Sequence, residues 1–135
     1  MAITPAAGYV SPQDSIFIGA TGGVVCYFGV SFMRRKSGMD DALDVMGVHG
    51  FGGIWGAIAT GIFAYASEGG LLHSGDWHLL VGQIVAVLFT LAFCFIVSYA
   101  VIRILGRLMG GARVSESEET IGQDLVEHGE PAYVM

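Results

Sequence analysis

The sequence predicts an all-α polytopic membrane protein built from three transmembrane helices and one partial helix. Three observations carry that prediction. Of 135 residues, 53% are hydrophobic and only 13% are charged, about half the charge that a soluble domain carries. Three stretches, Ser15–Met33, Val45–Ser67 and Leu79–Ile102, contain no Asp, Glu, Lys or Arg. Glycine is abundant, with 21 residues, which suits close helix packing in lipid. This composition sets aside soluble globular classes. It also sets aside disorder, which needs low hydrophobicity and dense charge.

The elements follow in chain order. Residues 1–10, with the apolar run AITPAAGYV, are too short to span and read as the last two turns of a helix whose beginning is missing. Residues 11–109 hold the three spans, at about 15–33, 44–67 and 79–108. The charge-free stretches within them are 19, 23 and 24 residues long. At 1.5 Å rise per residue, each can cross a hydrocarbon core of about 30 Å. A backbone in lipid must satisfy its own hydrogen bonds, so each is read as a helix. A secretory signal is the wrong reading of the first span, which begins with Pro5, Pro12 and Asp14 instead of basic residues. Residues 110–135 form a charged tail after Gly110 and Gly111.

The net charge of −6 is concentrated in that tail, where six acids follow Arg113 with no Lys or Arg. No basic surface is available for nucleic acid. Cys26 and Cys94 lie inside apolar runs and read as small packed hydrophobes, not as a disulfide framework. The six cations sit after the first span (Arg34, Arg35, Lys36) and after the third (Arg103, Arg107, Arg113). The positive-inside rule assigns those segments to the cytoplasm. Met1–Asp14 and the Glu68–His78 loop then face out, and the tail is expected to be cytoplasmic. Tyr65 and Trp77 flank the outer loop, where amphipathic aromatics are expected.

The chemistry-bearing stretch is DDALDVMGVHGFGGIWGAIATGIFA, Asp40–Ala64. His49 is the only ionisable residue inside any span by this count, and such residues tend to face a bundle interior or a wet cavity. Gly52, Gly56 and Thr60 form one row of small residues, and Gly53, Ala57 and Gly61 form another. Such rows let backbones approach closely. Three roles stay open for His49: a structural hydrogen bond to a neighbouring helix, a haem or metal ligand, or a permeation or proton-relay group. A metal needs several ligands, and the face of His49 carries no second His, Cys or carboxylate. A neutral imidazole donates at one nitrogen and accepts at the other, as a relay requires. Asp40, Asp41 and Asp44 precede the span and are expected to cap its free N–H groups. Gly19 and Gly23 read as a packing pair in span one, and His73 and His78 as solvated loop residues. No nucleophile with a base, phosphate loop or carboxylate pair is visible, so an enzyme is not expected and no cofactor is called for.

The Asp40–Ala64 segment resembles the tenth-helix signature of the ammonium transporter (Amt/Mep) family. The opening AITPAAG is similar to the end of that family's eighth helix. The tail GQDLVEHGEPAY resembles its C-terminal regulatory segment, with Gly122, Asp124, His128, Gly129, Glu130, Ala132 and Tyr133 in register. The resemblance covers essentially the whole chain. It implies part of an eleven-helix bundle in a multi-pass cell-membrane homotrimer, each subunit with its own hydrophobic pore. In that family ammonium loses its proton at the outer mouth and passes as ammonia beside two histidines. His49 matches the second of these, with Asp40, Asp44 and Gly53 as structural neighbours of the pore helix. By residue count His49 lies about 10 Å to the cytoplasmic side of its span's centre, which a helix starting deep inside the bundle would reconcile. The tail would couple subunits and meet a PII-type nitrogen regulator. The position of a phosphorylatable threonine in some eukaryotic members is Val126 here. The first seven helices and most of the eighth are absent from this sequence, so the chain is expected to be the C-terminal part of a subunit. The alternative is a truncated, transport-incompetent interaction module acting through its tail.

Overall fold

The computed structural model describes residues 1–38, 41, 43–65 and 69–131. Its regular elements are helical, and no strand occurs among the described residues. Five α-helices follow in order: α1 Pro12–Phe32, α2 Phe51–Phe63, α3 Leu71–Ser74, α4 His78–Leu108 and α5 Glu116–Ile121. Wide, π-type turns cover Met33–Ser37, Met46–Gly50 and Asp124–His128. Counting the turns that extend them, three helical stretches are long and apolar enough to cross a membrane: Pro12–Ser37, Met46–Phe63 and His78–Leu108. The chain divides into two compact units, Met1–Leu91 and Ala92–Met135.

In the first unit the opening segment folds back on the helices. Its backbone makes successive three-residue turns, with Thr4 N–H donating to Met1 O and Ala6 N–H to Ile3 O, both at 3.1 Å. Proline at positions 5 and 12 removes two donors and keeps this segment from continuing as an α-helix. Ser11 then starts α1. Its extended backbone and its Oγ, which accepts the Asp14 N–H at 3.2 Å, form an N-cap with Pro12 in the first turn.

The core is where the opening segment, α1 and α2 meet: Ala6, Ile18 and Ala59 are fully buried, with Trp55 and Phe63 packed over them. Small residues make the approach possible. A methyl group at Gly56 would lie 2.1 Å from the Ala2 carbonyl oxygen, and one at Gly52 2.8 Å from Cys26 Sγ. Gly22 and Gly29 of α1 are equally tight, against Ala2 and against Gly47 with Phe51. The Gly52, Gly56 and Thr60 row is therefore a packing seam, and the buried Thr60 hydroxyl is satisfied by the Gly56 carbonyl at 2.8 Å. The α1 pair expected to pack, Gly19 and Gly23, meets nothing within 4 Å. The contact row of α1, Ile18, Gly22 and Gly29, lies about 100° round the helix from it. The start of α4 joins this unit through Leu80, whose backbone leans on Gly61.

In the second unit the remainder of α4 is exposed, and its stacked Phe95 and Tyr99 rings lie 6.3 Å apart. Past Gly110, Ser115 caps α5 in a reciprocal box. Its Oγ accepts the Glu118 N–H at 3.3 Å, and its own N–H donates to the Glu118 carboxylate at 2.8 Å. Arg113 closes a two-pronged pair onto Glu119, at 3.1 and 2.8 Å.

Candidate functional site

The site is organised by the entry into α2. The Asp41 carboxylate accepts the N–H groups of Val45 and Met46, each at 2.8 Å, and so satisfies two of the donors that any helix start leaves free. Asp44 does something else. It turns the chain through a left-handed conformation (φ 53°), which Asp tolerates better than most residues. Its carboxylate takes both prongs of Arg34 from the end of α1, with Nε at 2.8 Å from Oδ1. The Arg34 hydrogen bonds, and then its charge, hold the Asp44 carboxyl below the usual aspartate range. The capping expected of the aspartates is thus shared out: Asp41 caps, and Asp44 ties the two helices together. Asp40 lies outside the described residues.

From Met46 the chain makes one wide turn in which the Phe51 N–H reaches back five residues to the Met46 carbonyl. His49 sits in this turn with its side chain exposed. Its ring, Gly53 and Ala57 form one wall of an open cleft of about 380 Å³. The facing wall comes from the first part of α4, with Gln83, Val87 and Thr90. Gly53 has open space where a side chain would be. The structure therefore brings His49 and Gly53 together at the cleft, and it turns Gly56, three residues on, into the seam against Ala2. No described residue hydrogen-bonds the His49 ring. Gln83 and Thr90 were not among the expected site residues. Their sequence signal is a pair of polar residues seven apart in the apolar first half of α4, a spacing that puts both on one helix face.

At the other end of α1, His73 of α3 is engaged instead of merely solvated. Its Nε2 lies 3.4 Å from Asp14 Oδ2, and its ring meets Tyr65 edge-on at 5.9 Å. His78 remains exposed beside Asp76, whose carboxyl is held low first by the His78 backbone N–H. In the tail, Gly122 (φ 101°) and Gly129 (φ 71°) bracket the wide turn that begins at Asp124. Their positive φ angles are ones that side chains resist. His128, which ends the turn, and Glu130 beyond it are exposed, and Tyr133 lies outside the described residues. Among the described residues, no group of three His, Cys, Asp or Glu side chains gathers to hold a metal.

Comparison with known proteins gives this geometry a context. The profile of the Ammonium Transporter Family matches residues 1–133. The chain is 49% identical over 137 residues to the "Ammonium transporter" of Bacillus subtilis, covering 98% of this chain and 34% of that protein. It is 42% identical over 134 residues to the "Ammonium transporter Amt1" of Archaeoglobus fulgidus, again covering 98% of this chain and 34% of the relative. A third relative, the "Ammonium transporter" of Aquifex aeolicus, is 46% identical over 136 residues, which cover 98% of this chain and 31% of its own. The chain thus spans about a third of the length of these relatives. They are transporters by name, not enzymes. An apolar three-span architecture and a profile match over nearly every residue agree, and on that ground the chain belongs to the ammonium transporter family.

Proposed function

We propose that this chain supplies the His49-bearing part of a pathway that carries ammonium across a membrane as ammonia. The observation that supports it most is the placement of His49, the one imidazole of the Met46–Phe63 span, at an open cleft beside a glycine that leaves room, in a member of this family. A desolvated ammonium ion costs far more in apolar surroundings than neutral ammonia does. An imidazole that both donates and accepts replaces the contacts ammonia leaves behind in water. In this reading the complete pathway belongs to an eleven-helix subunit of a homotrimer. Arg34, Arg35, Lys36, Arg103, Arg107 and Arg113 then mark the cytoplasmic side, and the tail lies inside the cell.

The test is a graft. This chain replaces the matching third of the Bacillus subtilis relative in cells without ammonium transport of their own, and uptake of labelled methylammonium is measured. Uptake should be restored, and His49→Ala should lower it at least about tenfold, the effect of about 1.4 kcal/mol. Uptake unchanged by that substitution would remove His49 from the pathway.

A second reading concerns the tail, which we propose as a regulatory arm that couples subunits or meets a PII-type regulator. What supports it is local order: α5 has a closed capping box and the Arg113–Glu119 pair, which a merely solvated acidic arm would not need. Gly122, Asp124, His128, Gly129, Glu130 and Tyr133 are the residues proposed for this role. Deleting residues 110–135 from the graft should change transport or its response to the regulator, and an unchanged response to both would sink the tail's role. Should the graft carry no ammonium while the tail still binds, the interaction-module alternative would be preferred.

A further inference from the structure

Two histidines of the α2–α4 loop each meet an aspartate, and the two contacts differ in what they join. His78 pairs with Asp76, two residues away in the chain, and its side chain is 94% exposed. That contact ties the loop only to itself. His73 pairs with Asp14, which belongs to a different helix. His73 lies in α3, four residues long and too short to hold itself as an isolated helix. Gly70 seats α3 on the end of α2, where a methyl group would lie 2.6 Å from the Ile62 carbonyl oxygen and the Ala64 nitrogen. Just before the loop, the Tyr65 N–H donates to the Tyr9 carbonyl at 2.6 Å and so joins the end of α2 to the opening segment. Toward α1, the polar link from α3 among the described residues is His73 alone.

The geometry of this link suits a charged imidazole better than a neutral one. His73 Nε2 stands 3.4 Å from Asp14 Oδ2, beyond the usual N–H···O range of about 2.7–3.2 Å. The same Oδ2 already accepts the Ser11 hydroxyl at 2.6 Å. A neutral ring at that separation contributes little, whereas Coulomb attraction to a protonated ring falls only inversely with distance. Both side chains are partly shielded from water, at 41% and 23% exposure, and the edge-on Tyr65 ring at 5.9 Å keeps the imidazole in position. Imidazole is the side chain that changes charge between about pH 5 and pH 8. Among the described residues, Asp14 and Tyr65 are the titratable groups set against His73, and Glu68 lies outside the described residues. We propose that His73 and Asp14 form a proton-operated latch between α3 and the start of α1, fastened when the imidazole is protonated and slack when it is neutral. Its contribution is present at mildly acid pH and is lost as pH rises, because the fastened state binds the extra proton. Under the proposed topology the loop faces outward, so the latch answers to the pH outside the cell. It does not depend on the pore reading of His49.

Hydrogen–deuterium exchange tests the latch in the grafted transporter, held in lipid nanodiscs and needing no transport. The amides to follow are those of His73, Ser74 and Gly75, which donate to the Gly70 and Leu71 carbonyls within α3. After correction for the intrinsic pH dependence of exchange, their protection should be about threefold to fivefold greater at about pH 5.5 than at about pH 8, the effect of one partly exposed ion pair. His73→Gln and Asp14→Asn should each level the two pH values. His73→Lys, charged at both, should keep the loop protected at both. His78→Gln should leave the pH dependence as it was. Equal protection at the two pH values in the unaltered protein would overturn the latch. So would a pH dependence that survives in His73→Gln or in Asp14→Asn, or one that disappears in His78→Gln. Each of these outcomes leaves the His49 reading untouched, since uptake by His49→Ala decides that one separately.

Discussion

Residue identity matters most where two helices touch. Gly53 and Gly56 belong to the same signature and were equally eligible as seam residues in the sequence, yet their surroundings are opposite. A side chain at Gly56 runs into the Ala2 carbonyl, while one at Gly53 meets nothing within 4 Å. Gly56→Ala is therefore expected to destabilise the chain by about 1–3 kcal/mol, the usual cost of overpacking. Gly53→Ala should be neutral or stabilising by up to about 1 kcal/mol, through helix propensity. Thermal unfolding in detergent checks the pair, and equal effects would mean that the seam is misplaced. The aspartates teach the same lesson. That acids cluster before α2 is plain in the sequence, but which one caps was not legible. The choice depends on where Arg34 arrives from a helix ten residues earlier, and no local pattern encodes that.

Elements were more legible than residues. The three apolar stretches were readable because lipid leaves a spanning backbone no option but a helix. Their ends were less so: α2 stops at Phe63, short of the apolar run's end at Ser67, since nothing in hydropathy marks the Ala64 turn. The His49 cleft was half visible. Its α2 wall follows from helical spacing, whereas its α4 wall needs the Leu80–Gly61 contact to set the register. In the tail, charge alone does not separate a helical arm from a disordered one, but Ser115 and Glu118 spell a capping box. The Ser115 hydroxyl first, and then its N–H, hold the Glu118 carboxyl below the usual glutamate range. A lowered carboxylate stabilises the folded helix above its unfolded value of about 4.3 and loses that contribution as pH falls through the lower folded value. Helical order at Glu116–Ile121 should thus persist at pH 6 and fade below about pH 4. Amide chemical shifts of Ser115 and Glu118 follow this, and Glu118→Gln should remove much of the pH dependence. A helix insensitive to pH over that range would contradict the box.

For the whole molecule, the cations set the expected direction in the membrane. A cysteine introduced at Ser37 and one at Ser117 should be protected from an impermeant thiol reagent in intact cells, while one at Ser74 reacts. Any other pattern would invert or break the proposed topology. The expectation of missing partners has a physical counterpart in how unevenly the spans are covered. About a third of the α2 span is buried against its neighbours, compared with 6% for the α4 span.

That unevenness bears on how the chain is made. A helix as apolar as α4 can leave the translocation machinery for lipid unaided, since no neighbour has to shield it. The α2 segment is shorter and less apolar and carries an imidazole and a glycine seam, so its passage sideways into the bilayer is expected to depend on α1 already waiting there. Synthesis order provides this, because α1 emerges first. The Arg34–Asp44 clasp then joins the pair at the moment α2 begins to appear. Weakening the clasp should therefore be felt during biogenesis, as lost insertion of the second span, well before it is felt as altered behaviour of the finished protein.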